Sequence, residues 1–120
     1  MSVEDIVRLA NEARTRIKEI SPDESRTLAA AGAVLIDVRE EKEFKAGSII
    51  GAIHISRSQL ASRIADAVPD QSYSIVCFCA VGHRSAIAAD TLQKLGYRNV
   101  VSLAGGLKTY LVSQTNRKVA

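Results

Sequence analysis

Apolar residues at Ile6, Leu9, Ala13, Ile17 and Ile20 recur in steps of three and four, a stripe that predicts one amphipathic helix over residues 2–20. Ser2 and Asp5 stand where a capping pair would open it. Ser21-Pro22-Asp23-Glu24 marks a second start, with an N-cap hydroxyl, a proline at the first helical position and a glutamate at the third; this helix should run to Ala31 and stop at Gly32. The period then changes. Ala33–Val38 (AVLIDV) does not alternate until Asp37, as expected of a strand covered on both sides. Glu40–Ala46 has room for about two helical turns before Gly47, and Ala52–Ile55 reads as a short strand. Ser58 is placed to cap a helix through Ala67, with Leu60, Ile64 and Val68 at helical spacing and Pro69 as its stop. Tyr73–Phe78 (YSIVCF) is a buried strand that runs straight into Cys79-Ala80-Val81-Gly82-His83-Arg84. A helix from Ser85 to Leu95 follows, ended by Gly96. Val100–Leu103 makes a last strand, Ala104-Gly105-Gly106 a turn, and a short helix reaches Leu111. Ser113–Ala120 is polar and patternless, expected to be a flexible tail.

Strands alternating with helices predict an α/β domain of three layers, a mostly parallel central sheet with helices on both faces. In such sheets ligands bind outside the carboxyl ends of the strands, and Arg39, Cys79 and Ala104 each follow a predicted strand. One site is thereby nominated. With 120 residues, 47% of them hydrophobic, the chain suits one compact domain with one core. No apolar run approaches the roughly 20 residues a membrane span needs, so no membrane association is expected. Met1–Asp5 has neither a basic segment nor an apolar one, so a secretory signal is not expected and the cytoplasm is the expected compartment. The 16 basic and 13 acidic residues are spread along the chain, aromatics are 4% and tryptophan is absent, which speaks against nucleic acid as a partner.

The two cysteines, Cys77 and Cys79, form C-x-C, which is neither a redox C-x-x-C nor a zinc half-site. The two histidines, His54 and His83, lack partners at ligand spacing, so no metal and no cofactor are expected. Cys79 opens a loop between a buried strand and a helix. The amides of Ala80, Val81, Gly82 and Ser85 converge there, the helix N-terminus adds positive potential, and His83 and Arg84 reinforce it. That environment marks Cys79 as a nucleophile. Gly82 permits the tight curl, and Ser85 is placed as N-cap of the following helix. Cys77, inside the apolar strand, reads as core, and Asp37 and His54 read as structural.

LIDVREEKEF (Leu35–Phe44), GAIHIS (Gly51–Ser56), CAVGHRS (Cys79–Ser85) and the segment from Ala88 to Tyr110 together resemble the single-domain rhodaneses, the thiosulfate sulfurtransferase-like family, over about residues 20–112. The resemblance implies a rhodanese-like domain over 21–112, preceded by an amphipathic helical extension over 1–20 and followed by the tail over 113–120. It also implies transfer of sulfane sulfur from thiosulfate or a related donor to a thiophilic acceptor, cyanide or a thiol, through a persulfide on Cys79. Arg84 would be the first donor-binding side chain, with Arg39 and His83 behind it, unless Arg84 pairs with Asp37 to pin the loop. The partners would be small molecules, with a protein thiol as a further acceptor, and the protein a monomer or homodimer. Departures are Ser48-Ile49-Ile50 where the family commonly has His-Ile-Pro, Ala80 where many active members carry arginine, and Tyr110 in place of a frequent tryptophan. Two alternatives use the same scaffold: a non-catalytic binding or sensing module, and a phosphatase or arsenate reductase. The latter carry C-x5-R around a tetrahedral oxyanion, whereas Cys79 and Arg84 are spaced C-x4-R, a tighter ring suited to a single sulfur atom.

Overall fold

A computed structural model describes residues 1–119. In chain order the elements are α1 (Val3–Arg14), β1 (Lys18–Ile20), α2 (Pro22–Ala30), β2 (Val34–Asp37), α3 (Glu41–Ala46), β3 (Ile53–His54), a 3-10 turn (Arg57–Gln59), α4 (Leu60–Ala67), β4 (Ile75–Phe78), α5 (His83–Lys94), β5 (Val100–Leu103) and α6 (Gly106–Val119). The five strands form one sheet in the order β1-β5-β4-β2-β3, every neighbouring pair parallel. From β2 the chain moves outward to β3, whereas from β4 it moves the other way to β5. The connections leaving these adjacent strands therefore diverge, which opens a crevice at their carboxyl ends.

The capping reciprocity expected at Ser2/Asp5 and Ser21/Glu24 is present at both helix starts, with each serine Oγ accepting a backbone N–H at 3.1 Å. Four boundaries differ from the sequence reading. The first helix stops at Arg14, and Lys18–Ile20 is a strand at the sheet edge, paired with β5. Ile17 and Ile20 continue a helical stripe on paper, but the Arg16 guanidinium holds Asp90 of α5 in a bidentate pair at 2.8 and 2.9 Å and turns the chain out of the helix. Ser58 lies within the 3-10 turn and does not cap α4, which begins at Leu60. Gly82, at φ +102°, is the N-cap of α5, and Ser85 is already inside the helix. The last helix continues past Leu111 to Val119, where Arg26 of α2 lies over the Tyr110 ring at 4.2 Å and donates to the Ser113 hydroxyl at 2.9 Å. Ala120 lies outside the described residues.

Alternation along β4 divides the core. Ile75, Cys77 and Cys79 face α4 and α5, where they pack with Ile36, Ile64, Ala88 and Leu92; Val76 and Phe78 face α2 and α6, where they meet Leu28, Leu103 and Leu107. Outside α5 lies α1, with Ala10 and Ala13 against Ala86; the small side chains let the two helices approach closely. No helix among the described residues is long and apolar enough to cross a membrane.

Candidate active site

Cys79 is the first residue after β4 and only 1% exposed, so its sulfur lies on the floor of the loop that leads into α5. The left-handed backbone of Gly82 turns the chain so that two main-chain donors point inward: Gly82 N–H lies 3.1 Å and Ser85 N–H 3.3 Å from Cys79 Sγ. The N–H groups of Ala80, Val81, His83 and Arg84 have no hydrogen-bond acceptor among the described residues. The loop carbonyls turn the other way. Those of Cys79 and Ala80 accept from Leu107 N–H (2.8 Å) and Lys108 N–H (3.1 Å) in the first turn of α6, so two helix N-termini organise one loop, α5 from inside and α6 from outside. Gly106 is what lets α6 come so near. A Cβ there would stand 2.6 Å from the Cys79 and Ala80 carbonyl oxygens.

The thiol donates to Ser85 Oγ at 3.4 Å, and that hydroxyl also meets Ser102 Oγ of β5 at 2.8 Å and the Gly82 carbonyl at 3.3 Å. Because a hydroxyl rotates to suit its partners, Ser85 can accept from a thiol or, with Ser102 donating to it, turn its own proton toward an ionised sulfur. Cys77 differs in kind. It is fully buried in the apolar face, and burial together with the neighbouring Cys79 pushes its thiol up to about 12, so it stays protonated at neutral pH.

The charged side chains sort differently from the sequence expectation. Arg84 does not pin the loop through Asp37: its guanidinium forms a bidentate pair with Glu43 of α3 at 2.7 and 3.1 Å, which holds the Glu43 carboxyl below its ordinary range. Asp37 pairs instead with Arg39, at 2.8 Å from Nη2 and 3.0 Å from Nε, and accepts from the Arg39 amide and the Ser48 hydroxyl as well. Arg39 is 7% exposed, and its guanidinium also donates to the Gly47 carbonyl at 2.7 Å, so it ties β2 to the loop before β3 rather than opening toward Cys79. Ser48, at the position where the family commonly has histidine, supplies one of those ties. His54 bonds the Arg39 carbonyl through Nε2 at 2.7 Å and stacks on Phe44. His83 meets Arg14 of α1 at 3.2 Å, and Val81 is half exposed at the rim. Within this set the structure brings the Gly82 and Ser85 amides and the Ser85 hydroxyl to the Cys79 sulfur, while the Arg84 guanidinium is held by Glu43. A cleft of about 690 Å³ lies elsewhere, between α2 and the amino ends of β4 and β5, lined by Lys18, Asp23 and Arg98 among others.

Residues 21–112 match the sequence model of the rhodanese-like domain. The chain belongs to the rhodanese-like family. It is 35% identical over 96 residues to thiosulfate sulfurtransferase GlpE of Pseudomonas entomophila, covering 80% of this chain and 86% of that protein. The human single-domain sulfurtransferase TSTD1 superposes with a TM-score of 0.71 at 32% identity, over 78% of this chain and 95% of its own. A Rhodopseudomonas palustris protein of unknown function, described as a possible tyrosine phosphatase, superposes with a TM-score of 0.83 at 25% identity, over 95% of this chain and 94% of its own. In this rhodanese-like protein, three contributors to the site carry no local signal in the sequence. Ser102 is one small residue in a strand, Glu43 one of several acids in a charged helix, and Arg14 lies before the matched region. Gly106 did have a signal, the Gly105-Gly106 pair one residue after a strand.

Proposed function

We propose that this protein is a sulfurtransferase that carries sulfane sulfur as a persulfide on Cys79. The observation that carries the reading is the pair of amide N–H groups, from Gly82 and Ser85, aimed at the Cys79 sulfur from the mouth of α5. Hydrogen bonds of this kind suit an anionic sulfur, and no side-chain base is needed for a nucleophile that attacks as a thiolate. The Cys79 thiolate attacks the outer sulfur of thiosulfate, a new S–S bond forms, and the bond to the sulfonate sulfur breaks, so that sulfite leaves with the electron pair. Cyanide or a thiolate then attacks the outer sulfur of the persulfide and returns Cys79 as thiolate. Charge balances in both steps, and no oxidant enters. The unpartnered amides of Ala80, Val81, His83 and Arg84 are the donors available to the added sulfur, and Arg84, at the rim, is the cation nearest in role for a sulfonate.

The names of the relatives support the thiosulfate reading, as does the C-x4-R spacing, which makes a tighter ring than the C-x5-R of a phosphatase. Two unbridged cysteines fit a cytoplasmic setting, and a protein thiol on a partner would serve as acceptor as well as a small one. The test is thiocyanate formation from thiosulfate and cyanide, alongside mass spectrometry after thiosulfate alone. Wild-type protein should turn over and gain the mass of one sulfur atom on Cys79; Cys79→Ser should do neither. Absence of both in the wild type, with an aryl phosphate hydrolysed instead, would overturn the reading in favour of a phosphatase. No activity and no adduct with any donor would favour a binding module.

A further inference from the structure

Arg14 belongs to α1, outside the region that matches the family, yet its guanidinium reaches the loop of the nucleophile. Nη2 donates to the Gly82 carbonyl at 3.2 Å and contacts His83 Nδ1 at 3.2 Å. Nη1 donates to Asn11 Oδ1 at 3.0 Å, and Nε to Glu19 of β1 at 3.2 Å. A guanidinium offers donors only, so in a hydrogen bond with Arg14 His83 Nδ1 is the acceptor. Four contacts on one planar fork hold the guanidinium in a single pose, with α1 and β1 as its frame and the turn at Gly82 and His83 as its load.

That turn aims both donors at the sulfur. With Gly82 N–H and Ser85 N–H on Cys79 Sγ, the Gly82 carbonyl points along α5, where it receives Ala86 N–H at 3.3 Å and the Ser85 hydroxyl at 3.3 Å. Gly82 has no side chain to fix its own orientation, and its positive φ leaves it the most permissive joint in the loop. The guanidinium lies at that joint, where a Cβ on Gly82 would be in ordinary contact with Nη2 at 3.7 Å.

We propose that Arg14 is a positioning residue for the Cys79 loop: by clasping the Gly82 carbonyl and His83 Nδ1 it holds the two amides on the sulfur, so the N-terminal helix is a working part of the site. The proposal rests on the sulfurtransferase reading for its consequence in turnover but not for its consequence in thiol reactivity, and the experiment keeps the two apart. In the full chain, the rate of Cys79 alkylation by iodoacetamide is followed by fragment-ion mass spectrometry across pH, together with thiosulfate:cyanide turnover and thermal unfolding. Arg14→Ala should move the alkylation profile toward higher pH and lower kcat by about tenfold, with KM for thiosulfate changed much less. Asn11→Ala, which removes one strut of the clasp at an exposed position, should act in the same direction and more weakly. Arg8→Ala, exposed on the same helix and remote from the loop, should leave all three measurements as in the wild type. Arg14→Lys keeps the charge and loses the fork, so a profile close to that of Arg14→Ala supports positioning, and full rescue by lysine would reduce Arg14 to a diffuse charge. If Arg14→Ala lowers the unfolding temperature but leaves both the alkylation profile and kcat unchanged, Arg14 merely docks the helix and the proposal is wrong. Should Arg14→Ala not fold, Asn11→Ala decides by the same readouts. A wild type without thiocyanate formation would sink the proposed function, while the alkylation profiles still judge Arg14.

Discussion

Replacing Gly106 by alanine places a methyl carbon 2.6 Å from the carbonyl oxygens of Cys79 and Ala80 and from the Ala80 carbonyl carbon, all main-chain atoms with no rotamer to escape into. The backbone there has φ +65°, which adds about 1 kcal/mol for any residue with a Cβ. To relieve the contact, either α6 withdraws or the loop moves by the better part of an ångström. Withdrawal strains the two bonds that Leu107 and Lys108 donate to the loop, at about 1 kcal/mol each. Backbone strain, overpacking and lost hydrogen bonds together should cost about 4 kcal/mol. In a domain of this size that corresponds to a fall of about 15 °C in unfolding temperature. Turnover should suffer more than stability, because the displaced carbonyls belong to Cys79, the proposed persulfide carrier, and its neighbour. A shift on the order of 1 Å at reacting groups costs about a hundredfold. Gly51→Ala is the matched control, since its φ is +87° but a Cβ meets nothing within 4 Å, so only backbone strain of about 1 kcal/mol is expected. Denaturant unfolding and thiosulfate:cyanide turnover on both variants decide the matter. If Gly106→Ala is no less stable than Gly51→Ala and turns over like the wild type, the account of α6 as the outer support of the loop is refuted.

Glu43→Gln removes the carboxylate that engages Arg84 at 2.7 and 3.1 Å; a freed guanidinium should lower KM for thiosulfate about threefold, the worth of a partly exposed ion pair, and an unchanged or raised KM would end the role of Arg84 as donor-binding residue. Arg16 and Lys94 hold the Asp90 carboxyl below its ordinary value, so its share of stability is complete above the unfolded value near pH 4 and is lost as pH falls through the lower folded one. Acid titration of unfolding should therefore show a shallower fall below about pH 4 in Asp90→Asn than in the wild type. Superimposable curves would remove Asp90 from the acid response.

The strand periods, the two capping boxes and the glycine stops are local matters, set by which backbone conformations a few adjacent residues allow, and they were legible before any contact was known. The surroundings of Cys79 were legible for a related reason: a cysteine between a buried strand and a helix has loop amides and a helix start beside it by chain direction alone, although that start was expected at Ser85 and lies at Gly82. The exit of the first helix was not, because Ile17 and Ile20 satisfy a helical stripe and a strand end equally. The choice is made by Arg16 on Asp90, seventy-four residues away, and by pairing with β5. The mispairing of Arg84 has the same origin. Asp37 lay at a plausible distance along the fold, but Arg39, two residues on, reaches it first.

By itself, then, the amino-acid order determined that this is an α/β chain with a cysteine at a strand end beside a helix start, since periodicity and turn chemistry act over a few residues. Tertiary structure alone decided how that thiol is held: Arg14 from before the family domain, Ser102 from β5 and the first turn of α6 meet around Cys79 only once the sheet is ordered β1-β5-β4-β2-β3. Such contacts join residues with no shared local pattern, and their energy depends on directions that exist only after the elements have packed.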